Sequence, residues 1–143
     1  MPLLARHEGT WRGVYRHVAP DLSPIDTHDF RIVVELPDEP GCAYRQTSHY
    51  WWPDGRTEDR VFEARFDAGR CRLAWDNGRI AGELWELDDV SLYLSFRFAA
   101  PDPMRVCEMI QLSRSGRHRA RTWHWFRDDR LCRLTLVDER REA

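Results

Sequence analysis

Glu108 and Arg121 are the ionisable residues whose neighbours make them conspicuous. In an extended chain, alternate residues share a face. Glu108 therefore shares a face with Val106 and Ile110, and Arg121 shares one with Trp123 and Trp125. An isolated charge buried on such a face is very costly, so each needs a partner or the other. Two kinds of chemistry follow. As a binding group, Arg121 would hold a carboxylate, phenolate or phosphate in the fork of its guanidinium. As an acid/base site, Glu108 or His17 would move a proton while Tyr50 and Arg121 hold a developing oxyanion. A carboxyl group among aromatic rings has a raised pKa, which suits the second role. Tyr15, Gln46, Tyr50, Trp52 and Trp123 complete the candidate lining, since few polar groups among many apolar ones is the usual make-up of a small-ligand pocket.

Other chemistries lack their residues. The six histidines, His7, His17, His28, His49, His118 and His124, form no HxH or HExxH pair, so a metal would need ligands from separate strands, for instance His17 and His49. The expectation is no metal and no cofactor. The four cysteines, Cys42, Cys71, Cys107 and Cys132, make no CxxC motif. With no export signal in MPLLARHEGT, they are expected to be reduced core residues in a cytoplasmic protein. There is no GxSxG, P-loop or GxGxxG segment.

These side chains need strands to position them. Short β-rich runs recur along the chain between turn signals, which predicts a sandwich or barrel. The predicted strands are Thr10–Val18, Asp29–Leu36, Ala43–Trp52, Thr57–Phe66, Arg70–Asp76, Arg79–Leu87, Val90–Phe98, Met104–Leu112, Ala120–Phe126 and Leu131–Asp138. Asn77–Gly78 predicts a type I′ hairpin, with Asp88–Asp89 and Asp128–Asp129 as similar reversals. Links this short join antiparallel neighbours, and a long meander tends to close, because closure removes unpaired edges. The expected fold is all-β: an antiparallel up-and-down closed barrel of about 8–10 strands, with a short helical turn at Pro2–Glu8 capping one end.

The chain has 143 residues, which predicts one domain over 1–143. Seven Trp, four Tyr and six Phe supply a large core despite a 32% charged content. A net charge of −2 argues against a nucleic-acid partner, and no apolar run is long enough for a membrane helix. The Arg114–Arg121 run reads as a solvated hairpin turn. The expected partner is a small molecule, for a monomer or a homodimer.

The segment Gly9–Thr10–Trp11, followed by Arg12, Gly13, Val14 and Tyr15, resembles the GxW signature that opens lipocalin and related calycin barrels. Tyr44–Trp52, Arg119–Phe126 and Leu134–Arg140 resemble segments of bacterial lipocalin-like domains of unknown function. The resemblance implies a hydrophobic-ligand barrel. It also implies a structural Trp11 packed across the closed end against an Arg from a late strand, Arg121 or Arg133. Nitrobindin-like haem barrels open similarly and carry a haem-ligating His late in the chain. Only His124 holds such a position here, and nothing else in the chain supports haem. Fold alone imports no mechanism. The expected function is a small-molecule-binding barrel for an apolar or aromatic ligand with a polar or anionic group. The alternative is a cofactor-free cyclase, isomerase or lyase.

Overall fold

In the computed structural model, which describes residues 1–143, ten strands each pair antiparallel with the next. They are β1 (Gly9–Val18), β2 (Pro24–Glu35), β3 (Tyr44–Trp51), β4 (Thr57–Asp67), β5 (Arg72–Asp76), β6 (Ile80–Glu86), β7 (Ser91–Phe98), β8 (Arg105–Leu112), β9 (His118–Arg127) and β10 (Arg130–Arg141). The last strand returns to the first, from Trp11↔Arg141 to Val18↔Leu134. The sheet is thus a closed up-and-down barrel, as the spacing of strands and turns predicts. A single helical turn, α1 (Pro2–Ala5), precedes it. No helix is long and apolar enough to cross a membrane.

Alternation decides what goes inside. On β1 the inward set begins with Trp11 and Tyr15, and on β2 it includes Phe30, Ile32 and Val34; all five are buried. Gly13 lies between Trp11 and Tyr15 for a steric reason. A Cβ there would sit 1.9 Å from the backbone oxygen of Asp138 on β10. Only glycine lets the two strands approach so closely where the barrel closes.

One end is plugged. Leu3 and Leu4 of α1 are buried, and the Leu4 N–H donates to the Glu86 carboxylate at 2.9 Å. Beneath them the Trp11 indole donates to the His7 carbonyl at 2.9 Å. The guanidinium groups of Arg119 and Arg141 each lie 4.4 Å from the Trp11 ring, the geometry of a cation–π contact. The closed-end arginines are therefore neither Arg121 nor Arg133. The inward phase was read correctly but the level was not. Trp11 is register partner to Arg141, whereas Arg121 lies higher, beside Tyr15 and Trp123. Arg133 reaches Trp125.

Two further expectations change. Asn77 does not take positive φ; only Gly78 does, at 79°. The Asn77 side chain instead accepts the N–H groups of Arg79 at 3.0 Å and Ile80 at 2.8 Å, an Asx-type turn. The reversal with both central residues at positive φ is Asp128–Asp129, at 49° and 58°. The Arg114–Arg121 run is not one solvated turn either: Arg114 and Arg117 are exposed, but Arg119 and Arg121 are buried.

The ladder is weakest between β4 and β5. Three residue pairs join them, Arg65↔Ala74, Phe66↔Leu73 and Asp67↔Arg72. From Thr57 to Ala64, β4 is paired to β3 alone, leaving a seam in the wall beside the Asn77–Ile80 turn.

Candidate functional site

The interior is divided. On the side of β1 and β2 it is filled by rings: Tyr15 packs on Phe30 at 4.7 Å, His28 at 5.2 Å, Tyr50 at 5.8 Å and Trp123 at 6.0 Å. On the side of β3 to β9 a cavity of about 300 Å³ remains. Phe62, Trp75, Phe96 and Trp123 form its aromatic walls, with Leu84, Leu94 and Ile110 between them. Phe62 meets Trp75 edge-on at 5.0 Å, and Phe96 meets Trp123 likewise at 5.9 Å, contacts that fix ring orientation. The indole N–H groups of Trp75 and Trp123 find no acceptor in the protein.

The cavity floor is an ion network. Arg121 Nε donates to Glu108 Oε1, and Arg121 Nη1 donates to Glu139 Oε1 at 3.1 Å. Arg119 Nε donates to the other oxygen of Glu139, and Arg119 Nη1 meets His7 Nδ1 at 3.3 Å. All four charged residues are buried. With two guanidinium and two carboxylate groups, the charges balance. The pairing of Glu108 with Arg121 follows from β8 and β9 being neighbours offset by one inward position, since Glu108 is partner to Trp123 and Ile110 to Arg121.

The electrostatics are consistent with that closure. Burial raises the Glu108 carboxyl, while the Arg121 charge pulls it back. Burial opposes the Arg121 charge, but Glu108, Tyr15 and Glu139 outweigh it and keep the guanidinium firmly protonated. Glu108 Oε1 alone is engaged, so its second oxygen accepts no hydrogen bond. Along β3, the Tyr44 hydroxyl, pushed up to about 12 by burial, donates to Gln46 Oε1 at 3.0 Å. Gln46 Nε2 in turn donates to Ser48 at 3.1 Å.

Of the residues expected at a site, Gln46, Tyr50, Glu108, Arg121 and Trp123 line the cavity together. Tyr15, His17 and Trp52 do not. They belong to the filled side, where the His17 Nδ1 lies 2.7 Å from Thr135 Oγ1 and the Trp52 indole donates to Asp26. His49 does not meet His17; it is exposed on the outer face, 2.5 Å from Asp59. His124 is exposed as well, so it points away from any interior group.

Sequence reasoning passed over the cavity rim. Arg60 and Arg79 border the opening at the β4–β5 seam, with Val61 and Asn77. Arg60 spends only its Nε on a carboxylate, Glu58 at 2.6 Å, and lies over the Tyr50 ring at 5.8 Å. Arg79 is exposed and has no ion-pair partner among the salt bridges of the structure. The available signal was the inward phase Glu58, Arg60, Phe62, Ala64 on β4, hidden because the outward face, with Asp59 and Glu63, is equally charged.

Neither a scan against protein-family models nor a search of curated proteins finds a match. Similarity to solved structures is extensive. A protein of unknown function from the DUF3598 family of Nostoc punctiforme superposes with a TM-score of 0.73 at 20% identity, covering 97% of this chain. The chain spans about half of that protein, 49%. Rv2717c from M. tuberculosis matches with a TM-score of 0.64 at 16% identity, covering 100% of this chain and 99% of that one. An S-type phycobiliprotein lyase, CPES from Guillardia theta, matches with a TM-score of 0.63 at 11% identity, covering 99% and 92%. At such identities the likeness is one of fold alone, a closed antiparallel β-barrel.

Proposed function

We propose that this barrel binds a small organic molecule with an apolar or aromatic body and one anionic group. The carrying observation is the cavity of about 300 Å³ walled by Phe62, Trp75, Phe96 and Trp123, with Arg60 and Arg79 at its rim. That volume is at the lower end of ordinary ligand pockets, roughly 300–1,000 Å³. The body enters the aromatic hollow, and its desolvation drives binding. The anionic group stays at the seam, where two guanidinium groups retain free N–H donors. Arg121 is not the anchor, because Glu108 and Glu139 already occupy it. It shapes the floor instead. A lipocalin-like fold accommodates this reading, and one barrel of this fold is a phycobiliprotein lyase.

Titration with anilinonaphthalene sulfonate, an aromatic probe with one negative charge, tests it. The expected result is saturable fluorescence enhancement, weakened about tenfold in the double substitution Arg60→Gln and Arg79→Gln, the loss of about 1.4 kcal/mol of charge-assisted hydrogen bonding. If the uncharged anilinonaphthalene binds as tightly and the substitutions change nothing, the anion-anchoring reading is wrong.

A second reading is favoured by one observation: the Glu108 carboxyl borders the cavity, keeps an oxygen free and is raised by burial. That is the state of a proton carrier, in a cofactor-free enzyme acting on the bound molecule. The substitution Glu108→Gln separates the two. For a carrier, a co-purified ligand identified by native mass spectrometry keeps its chromatographic retention and NMR spectrum after incubation with either protein. For an enzyme, only the wild type transforms it.

A further inference from the structure

The filled side of the barrel mouth holds a group of residues that ligand binding leaves unused. His17 on β1 and Asp26 and His28 on β2 each offer a donor atom, and the three atoms lie within 4.8 Å of one another. Strand register makes this so: across β1 and β2, His17 is partner to Asp26 and Tyr15 to His28, so His28 lies on the same face as Asp26, one inward position along β2 and diagonal to His17. The imidazole rings are 5.5 Å apart.

An outer layer fixes each donor. His17 Nδ1 meets Thr135 Oγ1 at 2.7 Å, and the Trp125 indole donates to that same Oγ1 at 2.8 Å. The Trp52 indole donates to both oxygens of Asp26, at 3.1 and 3.0 Å. His28 is clasped between rings, Trp52 at 4.4 Å and Tyr15 at 5.2 Å, and its Nδ1 lies 2.8 Å from Asp26 Oδ2. Ligands that share one metal ion are oriented in this way, by hydrogen bonds from groups that are themselves pinned. The outer-face pair His49 and Asp59 has no third donor near it.

We propose that His17, Asp26 and His28 form a three-ligand site for a divalent transition-metal ion such as zinc. Two imidazole nitrogens and one carboxylate suit zinc and its neighbours rather than calcium or magnesium, which take oxygen ligands. The metal-binding forms are the neutral imidazoles and the ionised carboxylate, so acid opposes binding. Three protein ligands leave a fourth position open to water. The site is separate from the cavity, which none of its residues lines, and the proposal does not rest on ligand binding there.

The test is a titration of the chelator-stripped protein with Zn²⁺ by calorimetry and with Co²⁺ by visible absorption. Saturable binding is expected, with the intense d–d bands of low-coordinate cobalt. His17→Ala, His28→Ala and Asp26→Asn should each weaken it by at least about tenfold, the lower end of what loss of even an orienting partner costs. His49→Ala should leave it unchanged. To guard against misfolded variants, the imidazole nitrogens of the wild type are followed by NMR during Zn²⁺ addition. A shift confined to the rings of His17 and His28 supports the site. No saturable binding, or a response carried by other histidines, overturns it.

Discussion

Glu139 is the residue on which the interior charges depend, because it alone touches both buried arginines. Removing one partner from a buried ion pair leaves the other uncompensated, at a cost of about 3–5 kcal/mol. Glu139→Gln should lower the unfolding free energy, read from urea unfolding curves, by an amount in that range. Glu108→Gln should lower it less, because Arg121 keeps Glu139. His7 makes a second test. Burial, reinforced by Arg119, Arg121, Arg141 and Arg6, lowers its pKa to about 3 from the ordinary 6.5. Between those values the unfolded chain takes up a proton that the folded one refuses, so the His7 contribution to stability is complete above pH 6.5 and erodes as pH falls. The stability difference between wild type and His7→Gln should shrink on acidification below that point, by at most about 1.4 kcal/mol per pH unit. Unfolding curves at stepped pH measure it. Glu108, raised by burial, acts in the opposite sense and is common to both proteins, so it cancels. Glu108 and Arg121 were legible in the sequence because each breaks an apolar alternation. Glu139 was not, since Asp138–Glu142 is charged on both faces and alternation there carries no information.

At the level of elements, all ten strands were readable and their ends were not. β2 begins at Pro24, ahead of the predicted Asp29, because Pro24 and the polar residues after it look like a turn. That hid Asp26 and His28 at the barrel mouth. β10 continues to Arg141, beyond the predicted Asp138, which hid Glu139 and the Arg141 that contacts Trp11. In both cases tertiary pairing with β1 overrode weak local preference. Gly13 is the element-level prediction. With backbone 1.9 Å from where a Cβ would stand, Gly13→Ala must push β1 and β10 apart. It should destabilise the protein by about 1–3 kcal/mol, the usual cost of overpacking, with a lowered melting temperature. An equal substitution at the open Gly116 site, where a Cβ meets nothing, reports only the strain of its positive φ.

The whole molecule was legible as a barrel because nine mostly short links between ten strands admit few arrangements other than a meander; its hollow was not. Which inward residues fill the interior and which leave space depends on the barrel's cross-section, and strand pattern does not encode that. The rings of Tyr15, Phe30 and Tyr50 crowd one side, while the opposite wall stands clear around Phe62 and Trp75. The closure itself carries a kinetic consequence. β1 pairs with β2 on one edge and β10 on the other, so one edge of β1 waits for a strand about 120 residues further along the chain. Until then its second edge has no mate, and the joining contacts span almost the full chain. Contacts so distant in sequence slow the search for the native state, and barrels of this kind fold in roughly milliseconds to seconds. Completion of the barrel is therefore a late event, which waits on β10.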